Sequence, residues 1–134
     1  SVVVFDVGGD DDGALALGQY KQYFDKYGYE MHFIVNTKRP LTRTNDELIE
    51  IAERIESASR LKFTDIYNNT NLSDQTDETT LFSGYDEIKM LSKKMGIVIK
   101  KNCGIDKALS NVPTNLKDTV FRMNICILRP WEIQ

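Results

Sequence analysis

Short apolar segments and amphipathic segments alternate along most of the chain. Continuous apolar runs bounded by polar or glycine residues predict strands, and apolar positions at helical spacing predict helices. The predicted strands cover residues 2–7, 30–36, 61–67, 97–100 and 120–128, and the predicted helices cover residues 13–27, 44–59 and 80–95.

The helix over residues 44–59 has the strongest local signal. Thr44 and Glu47 form a capping-box pattern, in which each side chain pairs with the other residue's backbone amide. Leu48, Ile51 and Ile55 then repeat at helical spacing, which predicts one buried face. Gly28 and Gly96 stand where the other two helices are expected to end.

Strands that alternate with helices predict an α/β fold, with a mostly parallel sheet and helices on both faces. Ligands of such folds bind beyond the carboxyl ends of the strands. Four polar loops would meet there, and together we call them the polar rim: residues 6–12, 36–43, 68–74 and 101–104. The loops at the opposite edge are shorter, which favours one functional rim.

Composition limits the class of protein. The 134 residues are 41% apolar and 28% charged, as expected for a single soluble domain over residues 1–134, which we place in the cytoplasm. The net charge of −3 gives no basic footprint for direct nucleic-acid binding. No apolar run approaches the ~20 residues of a membrane span. Cys103 and Cys126 are expected to be reduced, although a single disulfide is not excluded, and His32 is expected to be a packed strand residue.

The stretch VVVFDVGG, residues 2–9, carries the clearest chemical signal. An acid directly after an apolar strand is typical of a Walker B segment, where the strand fixes a carboxylate that holds a water of Mg²⁺. Glycines after the acid let the backbone approach a phosphate and donate an N–H. Asp6 would then be the magnesium ligand, and Gly8 or Gly9 would contact the γ-phosphate. The alternative is an acid that only caps a loop.

Four stretches extend this signal: DVGGDDDGALALGQY, IVNTKRP, ESASRLKFTDIYNNTNL and the closing PWE. They resemble ParA/MinD-type ATP-binding proteins, a group that includes cobyrinic acid diamide synthase-like members and belongs to the P-loop NTPases of the SIMIBI class. The resemblance runs from Val2 to about Gly96. It implies a three-layer fold that binds ATP and Mg²⁺, with Asp6 on the metal and Gly8 on the γ-phosphate. It also implies that Asn68 or Asn69 recognises the adenine base and that the NTKRP loop lies near the nucleotide or a partner.

One element of that family is missing from these residues. Neither a G-x-x-x-x-G-K-[ST] turn nor a K-G-G-x-x-K form occurs in the 134 residues. The chain is therefore expected to be the C-terminal portion of a longer ATP-binding domain, inactive without the upstream P-loop. The resemblance implies a nucleotide-dependent homo-oligomer that recruits a protein partner, and an open strand edge would favour self-association. The alternative is a non-catalytic α/β module that binds a protein or small ligand at the polar rim.

Three further groups on the chain have two readings each. The acids at positions 10–12 either bind a cation or begin a helix, where negative charge is favourable. The cations Lys38, Arg39 and Arg43 either contact a phosphate or acidic partner or belong to a solvated loop. The tyrosines at positions 20, 23 and 27 are either packing residues, which we expect, or a platform on which a ligand stacks.

Overall fold

The computed structural model describes residues 1–127 and 129–132. Four parallel strands form one sheet in the order β1-β2-β3-β4, and helices precede or connect the first three. The strands are β1 His32–Val35, β2 Asp65–Asn68, β3 Val98–Gly104 and β4 Val120–Arg122, and the helices are α1 Asp11–Gly18, α2 Lys21–Tyr27, α3 Asn45–Ser59 and α4 Tyr85–Met95. The predicted α/β class is confirmed.

The core lies between one face of the sheet and the helices. Phe33, Val35 and Ile66 point from the strands to the apolar faces of α3 and α4, which contact each other. Ile34 points to the opposite face, as alternation along a strand requires, and it is 54% exposed. A second helical layer on that face, and hence the three-layer arrangement, is not confirmed.

Local signals place several element ends correctly. The Thr44 side chain accepts from the Glu47 amide and the Glu47 side chain accepts from the Thr44 amide, so the predicted capping box is confirmed. Gly96 ends α4 in the left-handed conformation, at φ +69°, and Gly28 ends α2 at φ +80°. Glycine reaches these angles without a steric penalty.

The strand predicted for residues 2–7 is wrong. Residues 1–8 form no helix or strand, and Val2, Val3 and Val4 are almost fully exposed. β-Branched residues favour a strand only where a neighbouring strand supplies the backbone hydrogen bonds. None of the four strands of the described residues pairs with this segment, so its backbone lacks those hydrogen bonds.

The helix predicted for residues 13–27 is divided into α1 and α2. A Cβ on Gly18 would lie 3.0 Å from the carbonyl oxygen of Ser59, so α1 ends in close contact with the end of α3. Arg60 then donates to the Gly18 carbonyl over 2.8 Å, which gives that oxygen a partner outside the helix. This tertiary contact explains why the chain turns at Gln19 and Tyr20.

Two other predicted elements are shorter in the structure. The helix predicted from residue 80 begins at Tyr85, after a series of turns, and a Cβ on Gly84 would clash with the Thr37 side chain just before it. The last strand covers Val120–Arg122 and not residues 120–128, of which Leu128 lies outside the described residues.

Candidate functional site

The turn of residues 6–13, which we call the acid-glycine turn, leads into α1. Asp6 is exposed, and Asp10 caps α1 by accepting from the Gly13 amide over 2.8 Å. Asp11 and Asp12 lie in the first helical turn, where the helix dipole favours negative charge. Of the two interpretations of Asp10, Asp11 and Asp12, a cation site or the start of a helix, the structure therefore supports the start of a helix.

The glycines of this turn differ in what the fold demands of them. A Cβ on Gly13 would lie 3.1 Å from both the Gly8 carbonyl oxygen and Asp10 Oδ1, so close packing favours glycine there. A Cβ on Gly8 would make only ordinary contacts, at 3.6 Å or more, and one on Gly9 would meet nothing within 4 Å. The fold therefore does not require glycine at positions 8 and 9.

The turn is fixed to the body of the protein through α1 and α3. The Asp11 carboxylate accepts from the Arg54 guanidinium over 3.0 Å, and this hydrogen bond, together with the Asp11 charge, raises the pKa of Arg54. Arg54 lies nine residues after Asn45, or about 13 Å along the helix from the end of α3 at the polar rim. The start of α1 therefore lies against the middle of α3.

The loops after β1 and β2 are joined at the polar rim by hydrogen bonds. The Thr37 amide donates to Oγ1 of Thr70 over 3.1 Å. The Asn36 side chain donates to the Asn71 carbonyl over 3.2 Å and accepts from the Asn71 amide over 3.3 Å. These two predicted rim loops therefore form one continuous surface.

Asn68 and Asn69, one of which is predicted to recognise the adenine base, have different surroundings. Asn68 is fully buried, and its amide donates over 3.0 Å both to the Leu81 carbonyl and to Oδ1 of Asn102. Its own Oδ1 accepts from the Thr70 amide over 3.2 Å. Asn69 is half-buried at the end of the strand. The side-chain amide of Asn68 thus makes its hydrogen bonds within the core, and Asn69 is the more exposed member of the pair.

The basic residues of the polar rim lie on a loop that is closed by a hydrogen bond. Lys38, Arg39 and Arg43 are all exposed. Oγ1 of Thr42 donates to the Asn36 carbonyl over 2.7 Å and holds the loop closed. Between these cations Leu41 is 67% exposed and has φ +66°, a conformation that strains a non-glycine residue.

A cluster of charged and aromatic side chains lies on the exposed face of the sheet, and sequence analysis did not predict it. Nδ1 of His32 lies 2.5 Å from Oδ1 of Asp65, its partner in the β1–β2 register, and its ring lies 4.7 Å from that of Tyr67. Lys100 Nζ lies 3.4 Å from Glu30 and 3.8 Å from Asp65. Burial acts to lower the pKa of Lys100, but the two carboxylates outweigh it and raise that pKa. His32 is a strand residue, as predicted, and only the strand register could have revealed its acidic partner.

The described residues offer limited means of holding a metal ion. Within residues 1–127 and 129–132, no group of three histidine, cysteine, aspartate or glutamate side chains could ligate a metal together. Mg²⁺ requires less from a protein, because one or two carboxylates suffice when waters and substrate phosphates complete its shell. The exposed Asp6 carboxylate fits that donor chemistry.

Comparisons with protein-family models, with curated proteins and with solved structures found no match for this chain. None of the helices in the described ranges has the length and apolarity needed to cross a bilayer. The fold and the geometry of the acid-glycine turn and the polar rim are therefore what indicates a function for this chain.

Proposed function

We propose that this chain is the Walker B, switch II and base-recognition portion of a ParA/MinD-like ATPase. Asp6 follows no strand in the described structure, but in the full-length protein it would hold a water of Mg²⁺, and the backbone at Gly8 and Gly9 would contact the γ-phosphate of ATP. The lysine and the glycine-rich turn that hold the other phosphates are absent from these 134 residues. The chain alone is accordingly inactive, and ATP hydrolysis belongs to the full-length protein.

The observation that carries this proposal is the bare backbone at positions 8 and 9. Neither glycine has a positive φ, and neither is favoured by packing, whereas Gly13 in the same turn is. Glycine weakens a structure where the fold does not need it. A phosphate that approaches the backbone explains both glycines, because a side chain there would block it.

The surroundings of the rim asparagines refine the proposed base recognition. The amide groups of Asn68 are already used by Leu81, Asn102 and Thr70. Asn69 follows at the carboxyl end of β2, and its backbone amide is held by the Val35 carbonyl at 2.7 Å. We therefore assign adenine recognition to the side chain of Asn69, since an amide can both donate to and accept from the base edge, and we assign Asn68 to holding the loop.

The test begins with the coding sequence immediately upstream of Ser1. A strand followed by a glycine-rich, lysine-containing turn is expected there, and the protein extended to include it should hydrolyse ATP in the presence of Mg²⁺. Asp6→Asn should abolish turnover while leaving the circular dichroism spectrum unchanged. Asp12→Asn makes the same charge change at another exposed acid of the turn and should retain activity. Unchanged turnover in Asp6→Asn would refute the assignment.

A second candidate, from a different class, is a non-catalytic module that binds an acidic protein partner at the polar rim. The observation that favours it is the strained and exposed Leu41 between Arg39 and Arg43. Such strain persists only where the surroundings enforce it, and it is concentrated at functional positions. If no glycine-rich, lysine-containing turn lies upstream, this module becomes the better proposal. Arg39→Glu should then weaken partner binding, while Lys62→Glu, exposed at the opposite edge of the sheet, should not.

A further inference from the structure

Among the described residues that precede β4 in the sequence, residues 2–5 form the most exposed apolar segment. Val2, Val3 and Val4 are 92%, 73% and 86% exposed, and Phe5 is 48% exposed. β-Branched and aromatic side chains such as these favour strands. None of the four side chains is charged, and there is no proline among them, so the segment lacks the residues that protect proteins from unwanted strand pairing.

The first strand of the sheet offers the complementary feature. β1 lies at the end of the strand order, so one side of it has no neighbouring strand among the described residues. The carbonyls of Met31 and Val35 accept hydrogen bonds from the β2 side. Because successive residues of a parallel strand direct their backbone groups to opposite sides, the N–H and C=O groups of His32 and Ile34 point to the open edge.

Within one copy the segment does not pair with this edge. The Phe5 ring packs against Tyr20 and Phe24, with ring centroids 5.8 Å and 5.5 Å apart. Phe24 in turn contacts Tyr29, which precedes β1, with 5.7 Å between the ring centroids. The segment therefore contacts α2 and the residue before it through Phe5.

We infer that residues 2–5 of a second copy of this chain add as a strand to the open edge of β1. The exchange is reciprocal, so a two-fold axis closes the assembly as a dimer. Backbone hydrogen bonds to His32 and Ile34 supply affinity, as in other strand-addition complexes. This inference does not depend on nucleotide binding.

The exposed surface is large enough for such an interface. Phe5 in the segment and Tyr20 and Tyr23 beside it are each about half exposed, which leaves about 300 Å² of aromatic surface. The three valines and their backbone add an area of the same order. The sum, roughly 600 Å² per partner, is at the lower end of what stable complexes bury.

Sedimentation equilibrium of the 134-residue chain tests the inference, with Val3→Pro and Val3→Thr as matched variants. The wild-type chain should be a dimer, and Val3→Thr, which keeps the β-branch and the N–H, should remain one. Val3→Pro removes the N–H and should shift the chain to monomer at equal concentration. Because Val3 is exposed in the single copy, both variants should keep the helical signal of the circular dichroism spectrum. A monomeric wild-type chain, or a dimer that Val3→Pro leaves intact, would overturn the inference.

A cross-link identifies which edge accepts the segment. Neighbouring strands lie about 4.8 Å apart, within the Cα separation of about 4.4–6.8 Å that a disulfide spans. In a Cys126→Ser background, Val3→Cys with Ile34→Cys should yield a covalent dimer on oxidation. Val3→Cys with Val98→Cys, which is exposed on a strand away from the edge, should not. A disulfide formed within a monomer would mean that one copy fills its own edge, and the inference would be wrong.

Discussion

Truncation of Asn68 to alanine separates a structural role from a role in nucleotide recognition. In the folded chain the Asn68 side chain donates to the Leu81 carbonyl and to Asn102, and it accepts from the Thr70 amide. All of these contacts are buried, and both Asn68 and Asn102 are fully excluded from solvent. Asn68→Ala would therefore leave three buried polar groups without their partner.

The expected loss of stability follows from those three groups. Each buried polar group left unpaired costs about 1–3 kcal/mol. With some relaxation around the smaller side chain, the total is about 4 kcal/mol, a large part of the roughly 5–15 kcal/mol by which such domains are stable. At a few degrees per kcal/mol for a domain of this size, the unfolding midpoint should fall by about 15 °C.

Urea denaturation followed by circular dichroism measures this loss. Asn68→Ala should lower the urea midpoint without changing the m-value, because the surface exposed on unfolding is nearly the same. Asn69→Ala is the matched control, since the Asn69 side chain takes no part in these contacts, and it should cost less than about 1 kcal/mol. A loss below about 1 kcal/mol for Asn68→Ala, or equal losses for the two variants, would refute the reasoning.

Two further predictions concern titratable groups. Burial raises the pKa of the Cys103 thiol to about 11, so a thiol reagent at neutral pH should modify the exposed Cys126 and reach Cys103 only after unfolding; two rapidly reacting thiols in the native chain would contradict this. Hydrogen bonds from the Thr79 side chain and amide, with a further one from Thr80, lower the pKa of Asp77 from 3.8 to about 2. The folded state thus favours the ionised carboxylate, and this contribution to stability is complete above pH 3.8 and is lost as the pH falls toward 2. The unfolding midpoint of Asp77→Ala should consequently depend less on pH in that window than that of the wild-type chain, and parallel profiles would count against the assignment.

Elements with local signals could be predicted from the sequence. The capping box and apolar spacing place α3 at Asn45–Ser59, almost as expected, because both signals act within a few residues. The glycines after α2 and α4 end those helices for an equally local reason, their backbone conformation. The alternation of strands and helices also predicts the parallel sheet, since short crossovers leave few other topologies.

Features that depend on distant residues could not be predicted. The apolar residues 2–7 have the composition of a strand, but a strand needs a neighbour, and the sequence does not show whether one is adjacent. The break after Gly18 depends on Ser59 and Arg60, which approach only in the folded chain. The same holds for the candidate site, because only the register of β2 and β3 places Asn68 beside Asn102, to which its side chain donates.

The distribution of glycines supplies the strongest link between the fold and the proposed chemistry. Of the eight glycines in the chain, four would bring a Cβ within 3.1 Å of other atoms and two have positive φ, so the fold itself accounts for six: Gly13, Gly18, Gly84, Gly104, Gly28 and Gly96. The remaining two, Gly8 and Gly9, directly follow the Asp6-Val7 pair.

Gly9→Ala should therefore leave the thermal unfolding midpoint of the 134-residue chain unchanged or slightly raised, because alanine has less freedom to lose on folding. In the protein extended to include a P-loop, the same substitution should reduce ATP turnover if, as proposed, the backbone at Gly9 contacts the γ-phosphate, because the methyl group would hinder that contact. Normal turnover in Gly9→Ala and in Gly8→Ala would leave both glycines without a function and would remove the main support for the proposed nucleotide site.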